Sequence, residues 1–393
     1  MTENRPSEKE LDRRLANVRT AMQDRGFDGL VVADPSNIYY LSGYNAWSFY
    51  TPQFLYVPME GEPVLAMREM DARGAHRTAS RFTDGILGYP EHLVHRPDAH
   101  PGAWLAEQLR ALGHARPQRV GYEGDAHFFS VRTFLGLLDG LPEWQLQESA
   151  ELVNWVRLVK SDYEIDLLRR AGLVASEVMR TAIEAITEGT PVNEVAAAVA
   201  AAQAAGTADA DGDYPAFVPM FPRGEGADTP HLTWTADKIA AGETVSIEIA
   251  GVHRRYHAPL ARAVTLGRPS TDLDRLAGAT VEGLNAALEA MRPGNTPADV
   301  TAAWNKVLSR HGLEKRSRLG YSIGIGFPPD WGERTVSIRA EDTTELRENM
   351  TFHVIAGMWM TGYGFEVSES IRVTANAPEV LTNAPRALIV KEN

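Results

Sequence analysis

The chain has 393 residues, 44% of them hydrophobic and 23% charged, with a formal net charge of -13 and no cysteine. That length gives room for two or three domains with an ample core. The acidic balance disfavours nucleic acid and anionic membranes, and the lack of cysteine excludes disulfides, thiolate zinc sites and a cysteine nucleophile.

The opening "MTENRPSEKELDRR" is polar and has no apolar signal region. No stretch approaches the roughly 18 apolar residues of a membrane span, so a cytoplasmic, soluble protein is expected. Leu11, Leu15, Val18 and Met22 recur at helical spacing and predict the first helix. A short apolar strand follows over Leu30 to Ala33, with Asp34-Pro35 as its stop. "FLYVPMEGEPVLAM" reads as a hairpin about its Gly-Glu-Pro centre. After the helix "AWLAEQLRALG", Arg119 to Tyr122 reads as another strand. Strands alternating with helices predict an α/β domain over the first ~150 residues.

The texture then changes. Ser161 with Glu164 three residues on has capping-box spacing and opens a long amphipathic helix. The alanine-rich "PVNEVAAAVAAAQAAG" is a second helix. Strands are expected around Val245 to Ile249 and Ala261 to Thr265, then two helices, then strands in "MTFHVIAGMWM" and "GFEVSESIRVT". Helices grouped in runs with an antiparallel sheet make the second half α+β.

Four places in this frame suggest chemistry. Glu248 stands in the apolar run "SIEIAG", where a lone carboxylate is costly unless something compensates it. The ordinary explanation is an ion pair with Arg254, Arg255 or Arg262; the alternative is an active site. His231, in "DTPHLTW", lies shortly before that strand. "GYSIGIGFPPDWGERT" lacks the Lys-Ser/Thr ending of a phosphate-binding loop. Its Asp330, Trp331, Glu333 and Arg334 read as a loop suited to a small charged ligand, or as a surface turn with local ion pairs. In "FEVSESIRV", strand alternation sets Glu366, Ser368 and Ser370 on one face and Val367, Glu369 and Ile371 on the other. Glu369, among apolar neighbours, repeats the puzzle of Glu248. Residue chemistry alone thus points to a small-molecule hydrolase or lyase using carboxylates and a histidine.

The junction "RLVKSDYEIDLLRRA" is similar to the Arg-x-x-Lys-Ser-x-x-Glu-Ile helix start of the creatinase/prolidase superfamily, carried here by Arg157, Lys160, Ser161, Glu164 and Ile165. The resemblance spans nearly the whole chain. It implies a creatinase-type α/β N-terminal domain over 1–155, a catalytic α+β pita-bread domain over 156–393, and a homodimer. Metallopeptidases of the superfamily hold two metals through two aspartates, a histidine and two glutamates. Those positions fall here on Glu248, Pro259, Ile323, Ile355 and, or beside, Ser368. Proline and isoleucine have no side-chain donor, so no metal and no cofactor are expected.

Within the superfamily, "GYNAWSFYTPQ", "GDYPAFVPMFPRG", "PHLTW", "EIAGVHRRYHAPLARAV", "FPPDWGERTVSIR" and "MTFHVIAGMW" resemble ectoine hydrolases. That resemblance implies opening of a cyclic amidine to N-acetyl-diaminobutyrate, with a small zwitterion as substrate. Glu248 would attack or act as base, and His231 would move the proton. Arg334 would hold the substrate carboxylate, and Glu366 or Glu369 the amidinium. Trp331, Trp47 or Tyr50 would stack on the cation; Asp330, Glu333 and His353 are counted with the binding residues. The rival readings are a creatinase-like amidine or guanidine hydrolase, an Xaa-Pro peptidase, and a non-catalytic binding module.

Overall fold

The computed structural model describes residues 6–392, so the first five residues of the polar opening segment lie outside the described residues. The chain divides into two compact units between Val156 and Arg157.

The first unit contains α1 (Glu8–Arg25), β1 (Gly29–Val32), α2 (Pro35–Ser42), β2 (Phe54–Pro58), β3 (Val64–Arg68), α3 (Glu69–Thr78), β4 (Ile86–Tyr89), α4 (Pro101–Ala111), β5 (Gln118–Tyr122), α5 (Val131–Gly140) and β6 (Trp144–Glu148), with α6 (Leu152–Arg157) ending at the division. Its six strands run in the order β4-β3-β2-β1-β5-β6. The expected hairpin is the antiparallel pair β2 and β3. Asp34-Pro35 does not simply end a strand. Asp34 accepts from the Ser36 N–H and Pro35 occupies the first helical turn, so the pair starts α2.

The second unit contains α7 (Asp162–Ala185), α8 (Val192–Ala205), β7 (Thr244–His253), β8 (Tyr256–Leu266), α9 (Thr271–Ala290), α10 (Pro297–Arg310), β9 (Gly320–Phe327), β10 (Asp330–Ser337), β11 (Thr351–Met360), β12 (Tyr363–Arg372), β13 (Glu379–Val380) and β14 (Ile389–Lys391). The capping box at Ser161 and Glu164 is present in full. The sheet runs β13-β12-β11-β9-β8-β14, with β7 on β8 and β10 on β9.

Alternation along the strands sets what each face does. Ile247 and Ile249 of β7 pack with Val174 and Val178 of α7. Phe352 and Val354 of β11, with Phe365 and Val367 of β12, pack with Leu284 and Trp304 of α9 and α10. The residues between them, Glu248, His353, Glu366 and Ser368, therefore point away from the helices. Gly251 shows how closely α7 lies on β7, because a Cβ there would sit 2.1 Å from the Ala175 nitrogen.

The β7–β8 hairpin turns at Arg254 and Arg255, whose φ values are 50° and 66°. This is the geometry of a two-residue primed turn, which usually takes Asn-Gly. Arg255 is held there by its side chain. The guanidinium lies 3.8 Å from the Tyr214 ring centroid and 4.6 Å from that of Phe327, and donates to the Gly326 carbonyl at 2.7 Å. Arg255 thus anchors a loop and is not a partner for Glu248.

Candidate active site

The opening puzzle of Glu248 is resolved by where the nearby arginines go. Arg262 pairs with Glu369 at 2.8 Å, Arg254 with Asp211 at 3.3 Å and Arg255 with Asp213 at 3.3 Å. Glu248 is only 5% exposed, and its carboxylate makes no hydrogen bond or ion pair with any described residue. Burial raises its pKa to about 7.

Its neighbour in charge is Glu366, 1% exposed, whose two carboxylate oxygens are buried without a hydrogen-bond partner. Burial pushes the Glu366 pKa well up, the Glu248 charge pushes it further, and Lys315 pulls it back. Lys315 donates to the Gly357 carbonyl at 2.6 Å and to Ser317 Oγ at 2.9 Å, with its ammonium 4.5 Å from the Trp359 ring centroid. Burial lowers the Lys315 pKa to about 8, against the raising effect of Glu366. Two close carboxylates of unequal affinity for a proton, with one cation nearby, form the electrostatic centre of the site.

Beside them lies a hydrogen-bonded layer. Ala250 and Val252, on the Glu248 face of β7, pack with Trp331 and Tyr321. The Trp331 indole N–H donates to Tyr321 Oη at 2.8 Å. His353 Nδ1 meets the same oxygen at 3.1 Å, and its Nε2 meets Ser368 Oγ at 2.7 Å. Ser368 Oγ also accepts the Ala261 N–H at 2.7 Å.

Several expectations change here. Asp330, Trp331, Glu333 and Arg334 lie on strand β10, not on a ligand-binding loop. Trp331 is 0% exposed and edge-on to Phe217, so its buried ring offers no face for stacking; it holds Tyr321 instead. Glu333 is buried on Lys160 at 2.6 Å, with Arg157 at 3.6 Å, and so joins the start of α7 to β10. Its carboxylate is engaged by these two cations. Asp330 Oδ1 accepts the Gly332 N–H at 2.7 Å and closes a local turn. Glu369 is also structural, being shared by Arg262, Thr382 and Arg386 at 2.8 to 3.0 Å. His353 is fully buried, with Nδ1 on Tyr321 Oη.

Arg334 is half-buried, with φ of 53°. His231 is exposed, but its segment is tied to the Glu248 strand. Met220 exchanges both backbone hydrogen bonds with Glu248, and the Phe221 N–H donates to the Leu232 carbonyl next to His231. Trp47 and Tyr50 belong to the first unit, where they are 58% and 55% exposed. Sequence reasoning missed Tyr321 and Lys315. Tyr321 stands in a segment weighed only against a phosphate-binding loop, and Lys315 in a helix-to-strand connection with no motif.

The five positions at which the superfamily's peptidases hold metals do not fit a metal here. Pro259 and the buried Ile323 carry no donor, Ile355 faces Ser368 across β11 and β12, and Ser368 Oγ is already occupied. Among the described residues no group of three or more His, Asp or Glu could hold an ion.

The chain matches the Creatinase/Prolidase N-terminal domain over residues 14–159 and Metallopeptidase family M24 over residues 166–375. It is 42% identical over 384 residues to the ectoine hydrolase of Halomonas elongata, covering 96% of each chain. An uncharacterized hydrolase/peptidase of Sinorhizobium fredii is 39% identical, with 98% of each chain covered. The prolidase of Thermococcus sibiricus superposes with a TM-score of 0.85 at 20% identity, covering 98% of this chain and 100% of that one, a likeness of fold alone. The chain therefore belongs to the creatinase/prolidase M24 superfamily, as a hydrolase related to ectoine hydrolase.

Proposed function

We propose that the protein hydrolyses the cyclic amidine of ectoine, a zwitterion, to N-acetyl-2,4-diaminobutyrate. The observation that carries this reading is the buried, unpaired Glu248–Glu366 pair, which a delocalised cation would compensate. The named relative from Halomonas elongata supports the choice of amidine.

In this reading an amidinium N–H donates to the Glu366 carboxylate. Glu248, with a pKa of about 7, is suited to act as a base near neutral pH. It draws a proton from a water as that oxygen bonds to the amidinium carbon, then passes the proton to one ring nitrogen. The carbon–nitrogen bond breaks, and the hydroxyl proton follows to the departing amine through His231. The products are an amide and an ammonium, and the single positive charge is conserved. Arg334 binds the substrate carboxylate.

The proposal includes a homodimer working in the cytoplasm. The superfamily resemblance supports the dimer. The acidic balance of the chain accords with that compartment, and among the described residues no helix is long and apolar enough to cross a membrane. The test is to treat the purified protein with chelator, add ectoine and follow the proton NMR spectrum. N-acetyl-diaminobutyrate without added metal is expected. No ring opening, together with urea release from creatine, would move the protein to the creatinase-type reading.

A further inference from the structure

The layer behind the carboxylates raises a question of protons. Ser368 Oγ, His353 and Tyr321 Oη form one line, with the Ala261 N–H at one end and the Trp331 N–H near the other. Both end groups can only donate. The imidazole between them is neutral. Burial, then the Arg318 and Arg262 charges, lower its pKa to about 3. It therefore carries one proton, on one nitrogen or the other.

If that proton is on Nε2, Ser368 Oγ receives two N–H donors and its own buried hydrogen has no acceptor. Leaving such a hydroxyl unmatched is costly. If the proton is on Nδ1, every hydrogen has a place. Ser368 donates to Nε2, Nδ1–H donates to Tyr321 Oη, and Trp331 donates to the same oxygen. Tyr321 Oη then has both acceptor directions filled, and only its own O–H remains to be used.

We propose that Tyr321 is a catalytic residue that acts only as a hydrogen-bond donor, aimed by Trp331, His353 and Ser368 at the reacting centre beside Glu248. Tyr321 lies on the Glu248 face, with Ala250 and Val252 of the same strand. Burial, then the Glu248 charge, raise its pKa, so the phenol keeps its proton. Tyr321 and Glu248 make no direct hydrogen bond, so the O–H is not tied to that carboxylate. The consequence for chemistry is specific, and it rests on the amidine reading. A planar amidinium presents N–H donors and no lone pair, so a donor-only phenol gains nothing from it in the ground state. Attack at the carbon creates an oxygen and amine nitrogens with lone pairs, and Tyr321 then has an acceptor. Such a group stabilises the transition state over the bound substrate. His353 and Ser368 are positioning residues that act through it.

Two measurements test this. In protein labelled with nitrogen-15 at histidine, long-range proton–nitrogen correlation reads the tautomer of His353. Its signal is the one lost in H353N or, where that variant does not fold, the one moved in S368A. An Nδ1–H tautomer is expected, and an Nε2–H tautomer would overturn the proposal. With ectoine, Y321F should lower kcat about 100-fold while KM changes by less than about twofold. A Y321F enzyme with wild-type kcat, or one altered only in KM, would also overturn it. Wild-type protein that shows the Nδ1–H tautomer but never opens ectoine keeps the aimed donor and removes only the substrate.

Discussion

Each unit of this protein buries a carboxylate, and the two are treated in opposite ways. In the first unit Glu123 accepts the Ala33 and Asp34 N–H groups, both at 2.8 Å, and the Asn37 amide at 2.6 Å. That amide also reaches Asn154 at 2.7 Å, so the carboxylate ties strand, helix and junction together. In the second unit Glu248 and Glu366 are as deeply buried, and no described donor meets them. Burial, then Asp34, push the Glu123 pKa up to about 7 even against its three donors, and burial takes Glu248 to about 7 as well. A raised pKa therefore does not separate a structural carboxylate from a reactive one. The number of donors does, because an unmet buried carboxylate is kept at a cost in stability and is available to a ligand.

The sharpest break in the comparison is Glu248→Gln. Losing the base should lower kcat about 1,000-fold, measured by product formation under saturating ectoine. The same change should stabilise the fold at pH 8. A carboxyl whose folded pKa is raised to about 7, above the 4.5 of the free group, binds its proton more tightly when folded. That contribution is complete below the free value and is lost as pH rises through the folded value, so wild type is penalised at pH 8. Removing the charge should return up to ~3 kcal/mol, read from denaturant melts at pH 5 and pH 8. A variant that is inactive and also less stable at pH 8 would mean that Glu248 is a paired structural group.

The satisfied carboxylates should behave in the reverse way. Glu369→Gln leaves the buried Arg262 without its counter-charge and should cost about 3 kcal/mol of stability, while the folded enzyme keeps its kcat. Glu123→Gln replaces two acceptor oxygens by one and sets an amide N–H against the backbone donors of Ala33 and Asp34. About 2 kcal/mol should be lost in the melt, again with no change in the kinetics of folded protein. A kinetic defect in either variant at unchanged stability would erase the distinction drawn here.

The same contrast explains which parts of the molecule were legible in the sequence. Glu248 could be found because a single charge in an apolar strand is a local signal. The capping box at Ser161 and Glu164 was legible for the same reason, since its physics lies within one turn. Glu366 and Glu369 could not be ranked from alternation, which places them on opposite faces without saying which face the helices cover. The partner that makes Glu369 structural, Arg262, lies 107 residues away in sequence. Asp330 to Arg334 read in sequence as a loop or surface turn because their charges cluster, yet they lie on β10, and Gly326 of β9 is where the Arg255 guanidinium and the His257 ring come close. Tyr321 carries no local mark at all, and its role depends on donors from three other strands.

The smallest effects should come from Glu366→Gln, and they test whether the two carboxylates work as a pair. The amide still offers an oxygen to an amidinium N–H but no charge, so KM should rise about tenfold with little change in kcat. The acid limb of the pH profile should also move. Glu248 must be ionised to act as a base, so wild-type activity should rise with pH through about 7. The Glu248 charge opposes ionisation of Glu366, and by the reciprocity of Coulomb's law a Glu366 charge opposes that of Glu248. Because the pair titrates together, the limb reports both groups. Removing one negative charge should shift it about one unit toward acid. If KM rises but the limb stays in place, Glu366 binds the cation without sharing Glu248's proton. If the limb moves while KM stays, the substrate cation is held elsewhere and Glu366 serves only to set the basicity of Glu248.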